Sequence, residues 1–159
     1  AKKNKEIALF FIIKGADVNA QGIYGFTPLH FTTCWNNIKI KKIAEILIAV
    51  GADINTQDIY GRTPLHLAVL LAQKEMIELL LQQPSINLNV QDEEGKTAFD
   101  IAQKKEQEFI TFQNPKKAQN YKEIAHLIQA VRMKREGKLS QWVKHLKKPL
   151  SDIVIETKK

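Results

Sequence analysis

The sequence has one cysteine, Cys34, in 159 residues. A single cysteine excludes an intrachain disulfide framework and a four-cysteine zinc site. It fits a reducing compartment, and we expect a cytoplasmic location. Long apolar runs are also missing, since the longest, residues 7–13, is far shorter than the roughly 20 residues that cross a bilayer. No signal-peptide cleavage pattern follows that run.

Basic side chains outnumber acidic ones only in the last part of the chain. Residues 1–99 hold ten basic and ten acidic side chains, whereas residues 100–159 hold fourteen basic and seven acidic ones. The whole net charge of +7 therefore lies in the last segment. The overall content of 44% apolar and 26% charged residues is typical of globular proteins and excludes collagen-like, low-complexity and largely disordered chains.

Recognisable catalytic and metal-binding patterns are absent from the sequence. There is no nucleophile–base arrangement, Gly-rich phosphate loop or H-E-x-x-H motif. His126 and His145 lack ligand partners at metal spacing, and His30 and His66 occupy one structural slot of a repeat. Cys34 has no paired His or basic cluster nearby, so we expect a small, partly buried side chain rather than a reactive thiol. We predict no catalytic residue, no metal, no cofactor and no enzymatic activity in this segment.

Three sequence markers recur in one register. The residues Thr-Pro-Leu-His at 27–30 recur at 63–66, which is 36 residues later, and degenerately as Thr-Ala-Phe-Asp at 97–100. The residues Gly-Ala-Asp at 15–17 recur at 51–53. A glycine precedes each repeated Thr by two residues, at Gly25, Gly61 and Gly95. Independent markers in one register indicate a structural repeat.

Each marker has a physical role. Thr at a helix N-cap accepts a hydrogen bond from an unsatisfied N–H group, and Pro suits the next position. Segments 58–61 and 92–95 have the composition of turns, with Asp first and Gly fourth. Gly51 follows an apolar segment and predicts the end of a helix. Each unit is therefore predicted to be a turn, a helix, a short turn and a second helix.

The second helices share an apolar spacing of i, i+1, i+4 and i+5, which places these side chains in one stripe. The stripes are Ile43, Ala44, Leu47 and Ile48, then Met76, Ile77, Leu80 and Leu81, and, nearest the start, Ile7, Ala8, Phe11 and Ile12. One helical hairpin cannot bury its stripe alone, so neighbouring units must stack. We expect Leu80 to be buried between units. Since Leu9, Phe10 and Ile13 are apolar too, we expect a covering element, a helix or further repeats preceding Ala1.

These motifs resemble ankyrin repeats. The pattern Asp58-x-x-Gly61-x-Thr63-Pro64-Leu65-His66-x-Ala68 matches the family consensus, as does the stretch Leu-Ile-x-x-Gly-Ala-Asp ending at Asp53. The resemblance implies an all-α solenoid of stacked helix-turn-helix units with short turn or hairpin fingers. It predicts an array over 1–136, with a partial repeat at 1–21, repeats at 22–57 and 58–91, and an expanded degenerate repeat at 92–136, followed by a basic C-terminal helix and tail at 137–159.

Two repeats depart from the consensus. The repeat at 22–57 begins with Gly22 instead of Asp and has extra residues near 35–40. The last repeat has an insertion over 104–120, which is either an extension of its first helix or an inserted loop, with a break at Asn114-Pro115. Beyond it we expect a helix from Tyr121 to about Glu136, and a short helix over 139–148 stopped by Pro149.

The resemblance implies protein recognition, because ankyrin repeats are protein-binding scaffolds in most of their known settings. In such a fold the turn tips and the first helices form a concave face. Turn tips are usually polar, but here they carry Tyr, Phe and Arg, and aromatic and Arg side chains are frequent interface hot spots. The predicted partner-binding residues are Tyr24, Phe26, Trp35, Tyr60, Arg62, Glu93, Glu94 and Lys96. The alternative is that the aromatic rings pack on one another and only join the repeats.

Other functions stay open at this level. The segment could be a substrate-docking or regulatory module of an enzyme outside these residues. Leu139, Trp142, Val143 and Leu146 form an apolar stripe among lysines. We expect it to cap the last repeat, with a membrane surface or partner helix and nucleic acid as alternatives. The predicted partner is a protein rather than a small molecule, within a larger scaffold or a bacterial effector secreted into a host cytoplasm.

Overall fold

The computed structural model of the protein describes residues 15–34 and 38–145, apart from the side chains of residues 38, 39 and 145. Within these ranges the chain forms seven α-helices and no strand, which confirms the predicted all-α class. It divides into two compact units, Ala1–Ala98 and Phe99–Lys159. Several predictions fall outside the described residues, namely the stripe at 7–12, the covering of Leu9, Phe10 and Ile13, the role of Trp35, the side chain of Leu146 and the stop at Pro149.

The first unit contains two helical hairpins. The helices are α1 (Pro28–Thr33), α2 (Ile38–Ala49), α3 (Pro64–Leu70) and α4 (Lys74–Leu81). Within each hairpin the two helices contact each other, and the hairpins lie side by side, with α1 against α3 and α2 against α4. Helix α2 is four residues longer than α4 because it begins at Ile38. Part of the predicted insertion at 35–40 is therefore helical.

The repeated Thr-Pro-Leu-His residues start α1 and α3 in the same way. The hydroxyl of Thr27 accepts a hydrogen bond from the amide of His30, whose side chain in turn accepts from the amide of Thr27. Thr63 and His66 form the same reciprocal pair. Such a capping box satisfies two backbone donors at a helix start, so four residues fix both the start and the direction of each first helix.

The apolar stripes of α2 and α4 contribute to the core of the first unit, together with buried residues of α1 and α3. Ala44 and Leu47 are buried in α2, and all four stripe residues of α4 are buried. Leu80 is 0% exposed, as the sequence predicts. Gly51 ends α2 with a positive φ of 97°, and the amide of Ala52 donates to the carbonyl oxygen of Leu47 at 2.8 Å, closing the helix as expected.

The second unit contains two long helices and a short one. They are α5 (Ala98–Thr111), α6 (Pro115–Arg135) and α7 (Leu139–His145). The insertion at 104–120 is therefore helix for most of its length. Asn114 is the N-cap of α6 and accepts a bond from the amide of Lys117 at 3.1 Å. The predicted start of this helix at Tyr121 is wrong by six residues, because Asn114-Pro115 begins a helix as well as ending one.

Aromatic contacts hold the helices of the second unit together. The rings of Phe109 and Tyr121 stack at 5.6 Å between α5 and α6. The ring of Trp142 meets that of His126 edge-on at 6.2 Å, joining α7 to α6. Leu139, Trp142 and Val143 are all partly exposed. The prediction that the apolar stripe of α7 caps the last repeat requires such a contact between Trp142 and α6.

Candidate functional site

Three turn tips of the first unit share one closed geometry. We define them as tip 1 (22–26), tip 2 (58–62) and tip 3 (92–96). In each tip the first amide donates to the fifth carbonyl oxygen at 2.9 Å, and the amide of the fourth residue, a glycine, donates to the first carbonyl oxygen at 2.9–3.1 Å. The tips are therefore compact, hydrogen-bonded loops.

An aspartate organises tips 2 and 3 but not tip 1. One carboxylate oxygen of Asp58 accepts bonds from the amides of Tyr60 and Arg62, both at 2.9 Å. Asp92 makes the same two bonds in tip 3, also at 2.9 Å. Tip 1 has Gly22 at this position, and Tyr24 there takes a left-handed conformation with φ 62° and ψ 18°. Non-glycine residues rarely adopt that conformation, so the backbone of tip 1 is strained at Tyr24.

Successive tips are bonded to each other through their backbones. The amide of Ile59 donates to the carbonyl oxygen of Tyr24, and the amide of Glu93 donates to that of Tyr60, both at 3.0 Å. Glycine makes this approach possible. A Cβ atom added at Gly61 would lie 3.0 Å from the amide nitrogen of Glu93, and one at Gly25 would lie 3.1 Å from that of Ile59. The three tips thus form one continuous edge.

Two buried histidines attach the first helices to the following tips. The Nδ1 atom of His30 accepts from the amide of Thr27, and its Nε2 lies 3.1 Å from the carbonyl oxygen of Arg62. Because Nδ1 accepts, Nε2 carries the proton and donates. His66 repeats the arrangement with the carbonyl oxygen of Lys96 at 3.1 Å. The predicted structural role of both residues is thereby observed.

Burial lowers the pKa of both His30 and His66, and their bonds to the following tip and the nearby carboxylates offset this only in part. Desolvation disfavours the charged imidazolium. A second proton on Nδ1 would also face the amide of the capping Thr. The neutral ring is therefore the form that fits this joint.

Glutamine side chains connect the bases of the tips. The Nε2 group of Gln21 donates to the carbonyl oxygens of Gly25 at 3.0 Å and Gln57 at 3.1 Å. Gln57 donates in the same way to Gly61 at 2.7 Å and Gln91 at 3.0 Å. Each glutamine therefore bonds to the following repeat twice, at its tip and at its last residue. These residues were not predicted, although the recurrence of Gln at 21, 57 and 91 is a readable signal in the sequence.

Asparagines make a second row of bonds between repeats. Asn19 donates from Nδ2 to the carbonyl oxygen of Gly51 at 3.2 Å and accepts at Oδ1 from the amide of Asp53 at 2.7 Å. Asn55 makes the corresponding bonds to Ser85 at 2.9 Å and Asn87 at 2.8 Å. These amides were also missed, and their recurrence at 19, 55 and 89 was again visible.

The outer side of the tips exposes large apolar side chains. Ile23 is 79% exposed, Tyr24 60%, Ile59 52% and Tyr60 45%. We call the exposed residues of the three tips the tip surface, which consists of Ile23, Tyr24, Ile59, Tyr60, Glu93 and Glu94. The guanidinium of Arg62 lies 4.5 Å from the centre of the Tyr60 ring and bonds to the buried carboxylate of Asp58 at 2.7 Å. Arg62 therefore makes a cation–π contact with the exposed ring of Tyr60 while its charge is paired with Asp58.

A family model described as ankyrin repeats (3 copies) matches residues 1–92 and 41–128. The chain belongs to the ankyrin-repeat family. Ankyrin repeats are generally protein–protein interaction modules, and the family is typically non-enzymatic. No curated protein is similar enough to this chain to count as a relative.

The predicted partner-binding residues of this ankyrin array fall into three environments. Tyr24, Tyr60, Glu93 and Glu94 belong to the tip surface. Arg62 is partly exposed against Tyr60, and Lys96 pairs with Glu94. Phe26 is half-buried, stacked on His30 at 5.4 Å. Trp35 lies outside the described residues.

Two side chains at the C-terminal end of α1 are exposed, and one of them was predicted to be partly buried. Cys34 is exposed, so its predicted partial burial is wrong. It is the C-cap residue of α1, beyond the helical turn that faces the core, and its thiol only reaches the carbonyl oxygen of His30 at 3.7 Å. Phe31 is exposed as well and meets Phe26 edge-on at 5.4 Å. Its exposure depends on tertiary packing and has no signal in the local sequence.

The described residues of the ankyrin array contain neither a metal-binding cluster nor a helix suited to cross a membrane. Among residues 15–34 and 38–145, no three His, Cys, Asp or Glu side chains are grouped in a way that could hold a metal ion. In the same part of the chain, no helix has both the length and the apolar character needed to cross a membrane.

Proposed function

We propose that this ankyrin array binds a partner protein through the tip surface. The observation that carries the proposal is the exposure of Ile23, Tyr24, Ile59 and Tyr60 on tips whose backbones are already joined. Turn tips are normally polar, and a contiguous exposed apolar surface on a soluble fold marks an interaction site.

The rigidity of the tips favours binding over a purely structural role. The joints between tips are made by the backbone, by Gln21 and Gln57, and by the two histidines. None of these joints uses the side chain of Tyr24 or Tyr60. Tyrosine rings held in place add contact area at a small cost in conformational entropy.

The proposal is tested by affinity capture from a cell lysate with mass spectrometry. The wild-type chain is compared with a Tyr24→Ala/Tyr60→Ala double variant and with a control, Ile110→Ala/Phe112→Ala. The control also removes two exposed apolar side chains, but from the second unit. We expect proteins that are retained by the wild type and the control and lost from the tip variant.

A second experiment locates the contact directly. A photo-crosslinking amino acid is placed at Ile23, the most exposed of the apolar tip residues, and in a separate sample at Phe112. We expect the captured protein to be crosslinked from position 23 and not from position 112. Crosslinking from position 112 alone would move the binding site to the second unit.

A further inference from the structure

The tip surface changes in chemical character from one repeat to the next. Tip 1 exposes Ile23 and Tyr24 and carries no charge. Tip 2 exposes Ile59 and Tyr60, and its two charges form the pair of Arg62 with Asp58. Tips 1 and 2 therefore each present an apolar position without net charge.

Tip 3 carries negative charge. It contains the three carboxylates of Asp92, Glu93 and Glu94 and one ammonium group, Lys96, which pairs with Glu94. Glu93 and Glu94 are exposed. Since the amide of Glu93 is bonded to the carbonyl oxygen of Tyr60, this charge lies directly beside the apolar positions. A cationic group on a partner is favoured there, whereas an anionic group is repelled.

The helices of the array set the distance between these positions. Helices α1 and α3 of successive repeats pack against each other, and packed helices are about 8–10 Å apart. An extended chain in the polyproline II conformation rises about 3.1 Å per residue and has three residues per turn. One turn of such a peptide therefore covers roughly one repeat, and side chains three positions apart lie on one face and would meet successive tips.

We propose that the partner presents an extended peptide segment in the polyproline II conformation, with two apolar side chains three residues apart and a lysine or arginine three residues beyond the second. The apolar side chains lie against tips 1 and 2, and the basic side chain lies against Glu93 and Glu94 of tip 3. This inference rests on the proposed function and specifies the chemistry of the partner.

A second copy of the chain is the competing occupant of the surface. Residues 99–145 contain ten Lys and Arg against five Asp and Glu, so the second unit of another molecule is also cationic. Nine of these ten basic residues lie on helices and not on an extended segment, which is why the spacing argument favours a peptide. The two occupants are separated by measuring self-association alongside peptide binding.

The test uses a random nine-residue peptide library displayed on phage and selected on the immobilised wild-type chain. The same library is selected on a charge-reversed double variant, Glu93→Lys/Glu94→Lys. Its matched control is Glu45→Lys/Glu75→Lys, which makes the same charge change at exposed positions of α2 and α4. A neutral variant, Glu93→Gln/Glu94→Gln, serves if the reversal disturbs folding.

We expect the wild type and the control to enrich peptides with the apolar–apolar–basic spacing. The charge-reversed variant should enrich Asp or Glu at the basic position and keep the two apolar ones. A synthetic peptide from the wild-type selection should bind the reversed variant about ten-fold more weakly at low salt, with a smaller difference at high salt.

Three results would overturn the inference. If that peptide binds equally to the wild type, the reversed variant and the neutral variant, the contact of its basic side chain with Glu93 and Glu94 is rejected. The proposed function still holds if Tyr24→Ala/Tyr60→Ala weakens binding. If the library yields no peptide whose binding depends on the tips, the assignment of a peptide partner is rejected. The proposed function still holds if a captured protein needs Tyr24 and Tyr60 for binding. Self-association that the charge reversal abolishes assigns the surface to a second copy.

Discussion

Tyr24 and Ile59, 35 positions apart in the sequence, are joined by a hydrogen bond of 3.0 Å from the amide of Ile59 to the carbonyl oxygen of Tyr24. Only backbone atoms take part, and both side chains point away from the core and are exposed. The contact between two repeats and the exposed tip surface are therefore made by different atoms of the same residues.

Removal of either tyrosine ring should affect binding more than folding. We expect Tyr24→Ala and Tyr60→Ala each to weaken binding of the captured partner by about 1 kcal/mol or more. The free energy of unfolding should change by no more than about 0.5 kcal/mol, as is usual for exposed substitutions. Calorimetric titration and thermal melting measure the two quantities. A sharp loss of melting temperature with unchanged affinity per folded molecule would make the rings structural.

Two glycines with the same conformation should differ in their tolerance of a side chain. Gly61 and Gly95 have φ values of 70° and 73°, so alanine should cost roughly 1–2 kcal/mol at either position. Only at Gly61 would the added Cβ meet the backbone of the next tip, at 3.0 Å. We expect Gly61→Ala to lower the free energy of unfolding by about 1 kcal/mol more than Gly95→Ala in urea titrations. Equal losses would show that the tips are not tightly joined.

Gly22 of tip 1 occupies the position of Asp58 and Asp92, and its replacement by aspartate should increase the stability of the fold. Gly22→Asp supplies the carboxylate that Asp58 and Asp92 supply to the other tips, and a Cβ at Gly22 meets nothing closer than 3.8 Å. We expect a gain of about 0.5–1 kcal/mol in the free energy of unfolding. Gly22→Ala, which restricts the unfolded chain without adding an acceptor, is the control. The gain from the carboxylate is the difference between the two variants, and no difference would contradict its role.

Acid should weaken the joints made by His30 and His66. Burial holds the pKa of both rings below the usual value of about 6.5, so the unfolded chain takes up protons at a higher pH than the folded one. The contribution of the neutral rings is complete above about pH 6.5 and is lost as the pH falls from there towards the folded pKa values. Urea midpoints measured from pH 8 to pH 5 should fall more steeply for the wild type than for His30→Gln/His66→Gln.

A core leucine and a surface leucine give a direct test of the packing register. Leu80 is fully buried in α4, whereas Leu71, just after α3, is exposed. Leu80→Ala should cost about 2–5 kcal/mol, through lost burial and the cavity left behind. Leu71→Ala should stay within about 0.5 kcal/mol of the wild type. Similar melting temperatures for the two variants would mean that the register is wrong.

The parts of the fold that were predictable are those set by local chemistry. The Thr-Pro-Leu-His residues specify a capped helix start by themselves, and the stripe of α4 specifies its buried face. The start of α6 was missed because residues 116–120 are polar or small and show no apolar period, although Asn114 and Pro115 are typical of a helix start.

The candidate site was predictable in position but not in detail. The tips could be located because Gly25, Gly61 and Gly95 recur. The left-handed conformation of Tyr24 could not be read from the sequence, because tyrosine rarely adopts it. The exposure of Phe31 and Cys34 depends on which neighbours cover α1, and no short-range pattern contains that information.

The Gln and Asn side chains that join the repeats each bond to the backbone of the following repeat. Gln21 and Gln57 reach only main-chain carbonyl groups of the following repeat, and every residue type supplies such a group. These bonds therefore form with any exposed side chains at positions two and three of a tip, provided that position four of tips 1 and 2 stays glycine. The exposed side chains can be exchanged one repeat at a time, by evolution or by an engineer, while the main-chain bonds between repeats stay the same.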